Sequence, residues 1–433
     1  MDLYGGFKPS FMMSDGVTDV LPGRGQLSKN EYSRKLIDEH GVVPGSPRYM
    51  QKSVEFLPLE VEVGHVIGTN EMVYWCPHDE FNSFIAASGG SGAGKSVFLE
   101  AVAGQSATHG IPVVVVDVHG DLKVPYLKDI LLSSGSTSSV GLNPLAIEGI
   151  DPRKKGLFDH CEALVSMVKR AVPTLSARQR YLLFNAIETA YVAAGIEDHN
   201  PRTWGRQPPT FATVSCILDG WMRDPSLKAY RDSIAGCLAS LGAIFGHPVF
   251  KRSNNLSVSS ILGGAVRLDL SQLDERVQVI VAETVLRMTF NALKAMGPIS
   301  ANESAARGKI RLLVVIDETK VLSMGNGDPD KHSNILNVIG TEGRKFGIAG
   351  CFASQSSDHF GADLRRNISS WVALRCMDES EARRMAADMR VPASALQALS
   401  RPGEGYFRSG SRSVAVHMQV DPLEVLPPPG FAL

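Results

Sequence analysis

Eight consecutive residues, Gly89, Gly90, Ser91, Gly92, Ala93, Gly94, Lys95 and Ser96, spell GGSGAGKS and complete a GxxxxGK[ST] pattern. That combination suits the binding of a polyphosphate. The glycines let the backbone curl so that successive N–H groups point at phosphate oxygens. Lys95 adds a point charge for the β- and γ-phosphates, and the Ser96 hydroxyl is placed to ligate Mg²⁺. The pattern carries this meaning only between a strand and a helix, whose positive N-terminal end then faces the same anion. Residues 84–87 (FIAA) read as the strand and the VFLEAVAG that follows as the helix.

A second constellation completes the chemistry. LLVVIDE sets Asp317 and Glu318 at the end of a very apolar run. Asp317 is suited to hold Mg²⁺ through its water shell, and Glu318 to orient or deprotonate an attacking water. An acidic pair at a strand end is common; beside a phosphate loop it points to hydrolysis of ATP with Mg²⁺.

Both constellations need a scaffold of buried parallel strands. Short β-rich apolar runs at 84–87, 113–116, 265–270, 312–316 and 348–353, with a sixth at 371–374, have that look, and most lead into a helical pattern or polar loop. Between the second and third lies a long stretch of helical periodicity. In its LSARQRYLLFNAIETAYVAAGI, Ser176 can cap a helix whose Leu182, Leu183, Ala186, Ile187 and Tyr191 share one face. Residues 156–170, 210–222 and 226–244 behave alike. The expected division is an N-terminal arm with short strands (1–64), a first α/β part (65–150), an all-helical insertion (151–245), a second α/β part (246–420) and a Pro-rich tail (421–433). One or two strands are expected within 54–66, and a hairpin in GYFRSGSRSVAVHMQV.

Composition agrees with a globular protein: 44% hydrophobic and 21% charged residues, with a formal net charge of −1. A balanced total disfavours a surface coated with positive charge, yet leaves room for basic groups gathered in a narrow channel. The six cysteines lack metal-ligand spacing and read as core residues in a reducing compartment. No signal peptide and no apolar run long enough for a membrane helix is visible, so a cytoplasmic chain without direct membrane insertion is expected.

In order along the chain, GGSGAGKS, VVVVDVHGDL, GLNPL, LSARQRYLL, LLVVIDE, EGRKFGI, FASQ and RPGEGYF resemble the HerA/FtsK superfamily, including its VirB4-like ATPases of conjugation and secretion. The resemblance spans roughly residues 65 to 420 and implies a RecA-like P-loop NTPase: α/β, with a mainly parallel sheet and an all-helical insertion. It further implies a homo-hexameric ring acting on DNA, with a membrane machine or a nuclease as partner. By that resemblance Asp117 is an acidic active-site residue, Gln355 senses the γ-phosphate and positions water, and Arg344 reaches the ATP of a neighbouring subunit. Lys345, Arg365 and Arg375 are weaker candidates for phosphate or interface contacts. The first reading is an ATP-hydrolysing ring motor that translocates DNA, favoured by DVHGDL and the short N-terminus; the alternative is a VirB4-like ATPase energising a conjugation or type IV secretion machine, favoured by GLNPL and the helical insertion. The polar loop SMGNGDPDKHSN after the acidic pair, with Lys331 and His332, is a candidate DNA contact.

Overall fold

The computed structural model describes residues 59–136, 138–299, 310–323, 334–376, 378–411 and 414–422. The arm before residue 59, nearly all of the tail, and the loop with Lys331 and His332 lie outside these. Eleven strands form one sheet. They are β1 (Val61–Val66), β2 (Met72–Trp75), β3 (Phe84–Ser88), β4 (Val113–Asp117), β5 (Lys128–Leu131), β6 (Ala265–Asp269), β7 (Leu312–Ile316), β8 (Ile348–Ser354), β9 (Ser370–Leu374), β10 (Glu404–Arg408) and β11 (Val416–Gln419). Their spatial order is β2-β1-β11-β10-β9-β3-β8-β7-β4-β6-β5. From β9 to β5 every pairing is parallel; from β9 to β2 every pairing is antiparallel.

The apolar runs account for the centre of this sheet. β3, β4, β7, β8 and β9 are buried along their whole length, as strands covered on both faces must be. Six expected strands appear within a residue or so of their expected ends, and the C-terminal hairpin forms as β10 and β11. Two strands escape the sequence reading. In β5 (KDIL) only Ile130 is buried, because an edge strand shows most of its length to water; β2 is a four-residue edge strand alternating exposed and buried. β1 spans Val61–Val66 and pairs with β11, so a boundary at residue 64 falls inside a strand of the sheet.

The principal helices are α1 (Lys95–Thr108), α2 (Leu157–Ala171), α3 (Ala177–Ala193), α4 (Phe211–Arg223), α5 (Arg231–Phe245), α6 (Glu275–Ala295), α7 (Ile335–Glu342) and α8 (Glu379–Met389). Ser176 caps α3 by accepting from Gln179 N at 3.3 Å, and the five residues assigned to one face of α3 are all buried. The helical stretch α2–α5 does not form a core apart. Leu164, Val168, Leu183 and Leu241 share one apolar cluster with Val114, Val116 and Leu268 of the sheet and with α6. α1 packs in a second cluster on the other face. Of the six cysteines, Cys216 is exposed, contrary to a uniform core role. Among the described residues no helix is long and apolar enough to cross a membrane.

Candidate nucleotide site

Neighbouring parallel strands β3, β8, β7 and β4 all end at one edge, and their carboxyl ends carry the residues singled out above. β3 runs straight into the phosphate loop, and the loop into α1. Gly94 takes φ +104°, and an added Cβ would stand 2.7 Å from Gly403 N, so only glycine fits there. Gly403 N in turn donates to Ala93 O at 2.8 Å, and Gly90 N to Arg375 O at 2.9 Å. The PGEG turn and the end of β9 therefore brace the loop from outside. No side chain caps the start of α1, which leaves the first-turn N–H groups for an anion. Lys95 Nζ donates to the carbonyls of Gly89 (2.7 Å) and Gly90 (2.9 Å), holding its ammonium over the loop. Burial lowers its pKa, while the carboxylates of Glu318 and Asp121 act to raise it, which places the acidic groups beside the lysine.

Asp317 and Glu318 follow β7 and are both buried. The Asp317 carboxylate accepts from Val118 N (3.0 Å) and His119 N (3.2 Å). Burial pushes its pKa well up, and the nearby Asp117 carboxylate adds to the rise. Asp117, at the tip of β4, accepts from Gly120 N (2.7 Å), Leu122 N (3.1 Å) and Arg267 Nε (2.8 Å). Its carboxylate thus shapes the VHGDL turn as well as facing the site. Asp117, Asp317 and the exposed Asp121 place carboxylate oxygens within 4.8 Å of one another. Three hard oxygen donors beside a phosphate loop, one of them held out of its ordinary ionised range by burial and by the neighbouring Asp117, fit a magnesium ion. Asp121 was missed as an individual residue, although it lies in the quoted DVHGDL; its exposed turn position alone carries no signal.

Glu318 Oε1 accepts from Ser354 Oγ (2.7 Å) and Lys320 N (3.3 Å). Ser354 Oγ also lies 2.6 Å from His359 Nδ1. Having one proton, which it gives to Glu318, the hydroxyl must accept from His359 Nδ1–H. Among the described residues no bond reaches Glu318 Oε2, the oxygen left for water. Beside this chain, buried Glu381 accepts from Ser88 Oγ (3.0 Å) and Ser357 N (2.7 Å), tying the end of β3 to the loop after β8. Ser354, His359 and Glu381 have no sequence signature; only the parallel register of β3, β7 and β8 brings them together.

The remaining candidates separate. Gln355 follows β8 at this same edge and is exposed. Arg375 abuts the phosphate loop and donates to Ser400 O at 3.4 Å. Arg365 is tied to Asp388 and stands 5.9 Å from the Trp371 ring, an intramolecular role. Arg344 and Lys345 are exposed on the turn Gly343–Phe346 before β8, at the opposite edge of the sheet. A strand length, about 17 Å for five residues, separates that turn from its own phosphate loop.

Compared with solved structures, the chain matches VirB4 of Thermoanaerobacter pseudethanolicus at 17% identity, covering 84% of this chain and 96% of that one, with a TM-score of 0.66. The fold is that of VirB4. It is also that of the plasmid coupling protein TrwB, at 16% identity. Bound to the ATP analogue ADPNP, TrwB covers 87% of this chain and 92% of its own with a TM-score of 0.57. Bound to ADP and Mg²⁺ it covers 86% and 96%, with a TM-score of 0.55. No protein-family model and no curated protein matches. The RecA-like architecture expected from the quoted motifs is thus present in the VirB4-like form.

Proposed function

We propose that this chain is an ATP-hydrolysing motor subunit of the VirB4 kind, energising a conjugation or secretion machine. The observation that carries the reading is the convergence of the phosphate loop, the three aspartates and Glu318 at one edge of a sheet with the VirB4 strand course. Fold alone would not carry it, since one fold hosts many functions. The loop amides and Lys95 would hold the β- and γ-phosphates; Ser96, Asp317 and its aspartate neighbours would hold Mg²⁺, which would supply neutralisation of phosphate charge. Glu318 Oε2 accepts the proton of the attacking water, while Ser354 and His359 fix the carboxylate's other oxygen. Gln355 orients that water. Arg344, too far from its own site, serves the adjacent subunit of a homo-hexameric ring.

Duplex DNA translocation is the second reading, favoured by the likeness to the plasmid coupling protein TrwB. Steady-state ATP hydrolysis by the purified chain, with and without duplex DNA, tests both. The motor reading expects Mg²⁺-dependent turnover that falls to background in Lys95→Ala. Turnover unaffected by DNA favours the secretion role, and several-fold stimulation favours translocation. Undiminished turnover in Lys95→Ala would remove the phosphate loop from the reaction.

A further inference from the structure

At the sheet edge opposite the phosphate loop lies a cavity of about 290 Å³ whose polar lining comes from Asp151, Lys154, Lys155, Asp159, Arg287, Asn291 and Lys294. Its position follows from α6, which leaves the sheet after β6 and ends there. Beyond α6, Ile299 N donates to Lys345 O (2.8 Å) and Arg311 N to Gly347 O (2.7 Å), just ahead of β8. The cavity is therefore distinct from the nucleotide site by the height of the sheet.

Most of its charges are matched. Asp151 pairs with Arg153 at 3.0 Å and lies 3.7 Å from Lys154. Lys294 pairs with Glu342 at 3.0 Å, and Arg287 with Glu283 at 2.5 Å. Lys155 is the exception: among the described residues its ammonium has no hydrogen bond and no ion pair. Asp159, the acid closest to it in effect, is engaged at the start of α2 with Gly156 N (3.4 Å). Burial pushes the Lys155 amine down to about 8, and the repulsion of Arg287 and Lys294 adds to the fall. The exposed Asp159 carboxylate offsets only part of this, and a desolvated cation facing two further cations is costly unless another anion shares the space.

The inner wall points the same way. The Asn291 amide has no partner among the described residues. Arg287 and Asn291 also line a small adjoining cavity of about 20 Å³, room for about one water. Into it faces His160, whose Nε2 is buried without a hydrogen-bond partner. Burial, reinforced by Lys155 and Arg287, holds His160 neutral, with its pKa down to about 3. The Asn291 Nδ2 and an Nε2–H tautomer of His160 supply donors on this wall, while Glu148, also lining the small cavity, accepts from Val258 N at 3.1 Å; donors gathered beside Lys155 and Arg287 fit an oxyanion.

We propose that this cavity binds a phosphate group, with Lys155, Arg287 and Asn291 as its direct donors. Its volume exceeds that of a bare oxyanion and accommodates a phosphate carrying part of a nucleoside. A free nucleotide and a nucleic-acid backbone present this same group. The opposite wall is formed by Ile335 and Val338 of α7, and the α7 residue Glu342 shares Lys294 with the cavity. An anion drawing on Lys294 competes with Glu342, two residues from Arg344. Occupancy of the cavity is thereby coupled to the turn that carries Arg344.

The test uses the full chain with its phosphate loop saturated by Mg²⁺ and ADP, so that an added anion reports only the second site. Sulfate is the probe, and acylation of lysines read by mass spectrometry is the measurement, which needs no variant. Sulfate is expected to slow acylation of Lys155 about tenfold while leaving the more exposed Lys154 little changed. Sulfate binding by calorimetry should weaken about tenfold in Lys155→Met and in Asn291→Ala. It should also weaken as pH rises from about 7 to about 9, because the Lys155 amine loses its proton there. Displacement of sulfate by AMP identifies a free nucleotide as the source; displacement by a short duplex oligonucleotide, and not by AMP, identifies nucleic acid. Equal protection of Lys154 and Lys155, or sulfate binding unchanged in both variants, would overturn the site. None of these readouts depends on ATP hydrolysis, so their failure leaves the motor reading untouched.

Discussion

At the scale of single residues, the proposed chemistry rests on which oxygen of Glu318 is free. Ser354 and Lys320 N occupy Oε1, and the Ser354 hydroxyl is itself fixed by His359. Glu318→Gln keeps the shape and loses the base, so ATP should still bind while turnover falls by about 10²–10⁴. Ser354→Ala leaves the base and loosens its aim. A hydrogen bond to a charged group is worth roughly 1.5–3 kcal/mol, so kcat should fall about tenfold or more. KM should hardly move, because among the described residues the Ser354 hydroxyl bonds only Glu318 and His359, and the backbone carbonyl that accepts from Gly89 N at 3.4 Å is kept in alanine. Steady-state kinetics on both variants decide the matter: an unchanged kcat in Ser354→Ala, or KM and kcat changing together, would mean that Ser354 merely supports the fold, and an unchanged rate in Glu318→Gln would take that carboxylate out of the mechanism.

At the scale of elements, a buried ion-pair cluster joins the helical stretch to the sheet. Glu283 on α6 receives Arg170 of α2 through Nε at 3.0 Å and Arg287 through Nε at 2.8 Å. All three side chains are nearly or largely shielded from solvent. Burial opposes the Glu283 charge, yet Arg287 and Arg170 outweigh it and hold the carboxyl below its usual pKa. Replacing the carboxylate by an amide takes the Glu283 charge from the two guanidinium groups that share it. Glu283→Gln should cost about 3–5 kcal/mol of stability, read as a lower urea midpoint and melting temperature. The sign with pH follows from the depressed pKa. The stabilisation is complete above the carboxyl's unfolded pKa and is lost as pH falls through its lower folded value, so the wild-type advantage over the variant should shrink in acid. A loss below about 1 kcal/mol would show that the cluster offsets only its own desolvation.

At the scale of the whole molecule, Arg344 raises the question of assembly. It is exposed at the sheet edge remote from its own phosphate loop, so a catalytic role requires a second copy of the chain. A guanidinium supplied by a neighbour can neutralise charge in the transition state and is worth about 10³–10⁵ in rate in enzymes that use one. Arg344→Ala and Lys95→Ala subunits should each be inactive alone and regain hydrolysis when mixed. Recovery arises at interfaces that join an intact phosphate loop to an intact arginine. Mixed rings that form and stay inactive would confine Arg344 to a structural role.

Much of this protein is written locally. The phosphate loop, the apolar strands β3, β4, β7, β8 and β9, the Ser176 cap and the buried face of α3 each follow from a few neighbouring residues, because steric freedom, period and capping act over short range. Edge strands β2 and β5 were less legible, since partial exposure weakens the apolar pattern that marks a strand. What depends on contacts between distant residues was set only by tertiary structure. The Ser354–His359 support of Glu318 depends on the parallel register of β7 and β8. The sharing of one core by α2–α5 and the sheet depends on how the helices pack. The remoteness of Arg344 from its own loop, and the convergence of Lys155, Arg287 and Asn291 on one cavity, have the same origin. Charge and hydrogen bonding at these places join residues tens to hundreds of positions apart, and no local window of sequence contains both partners.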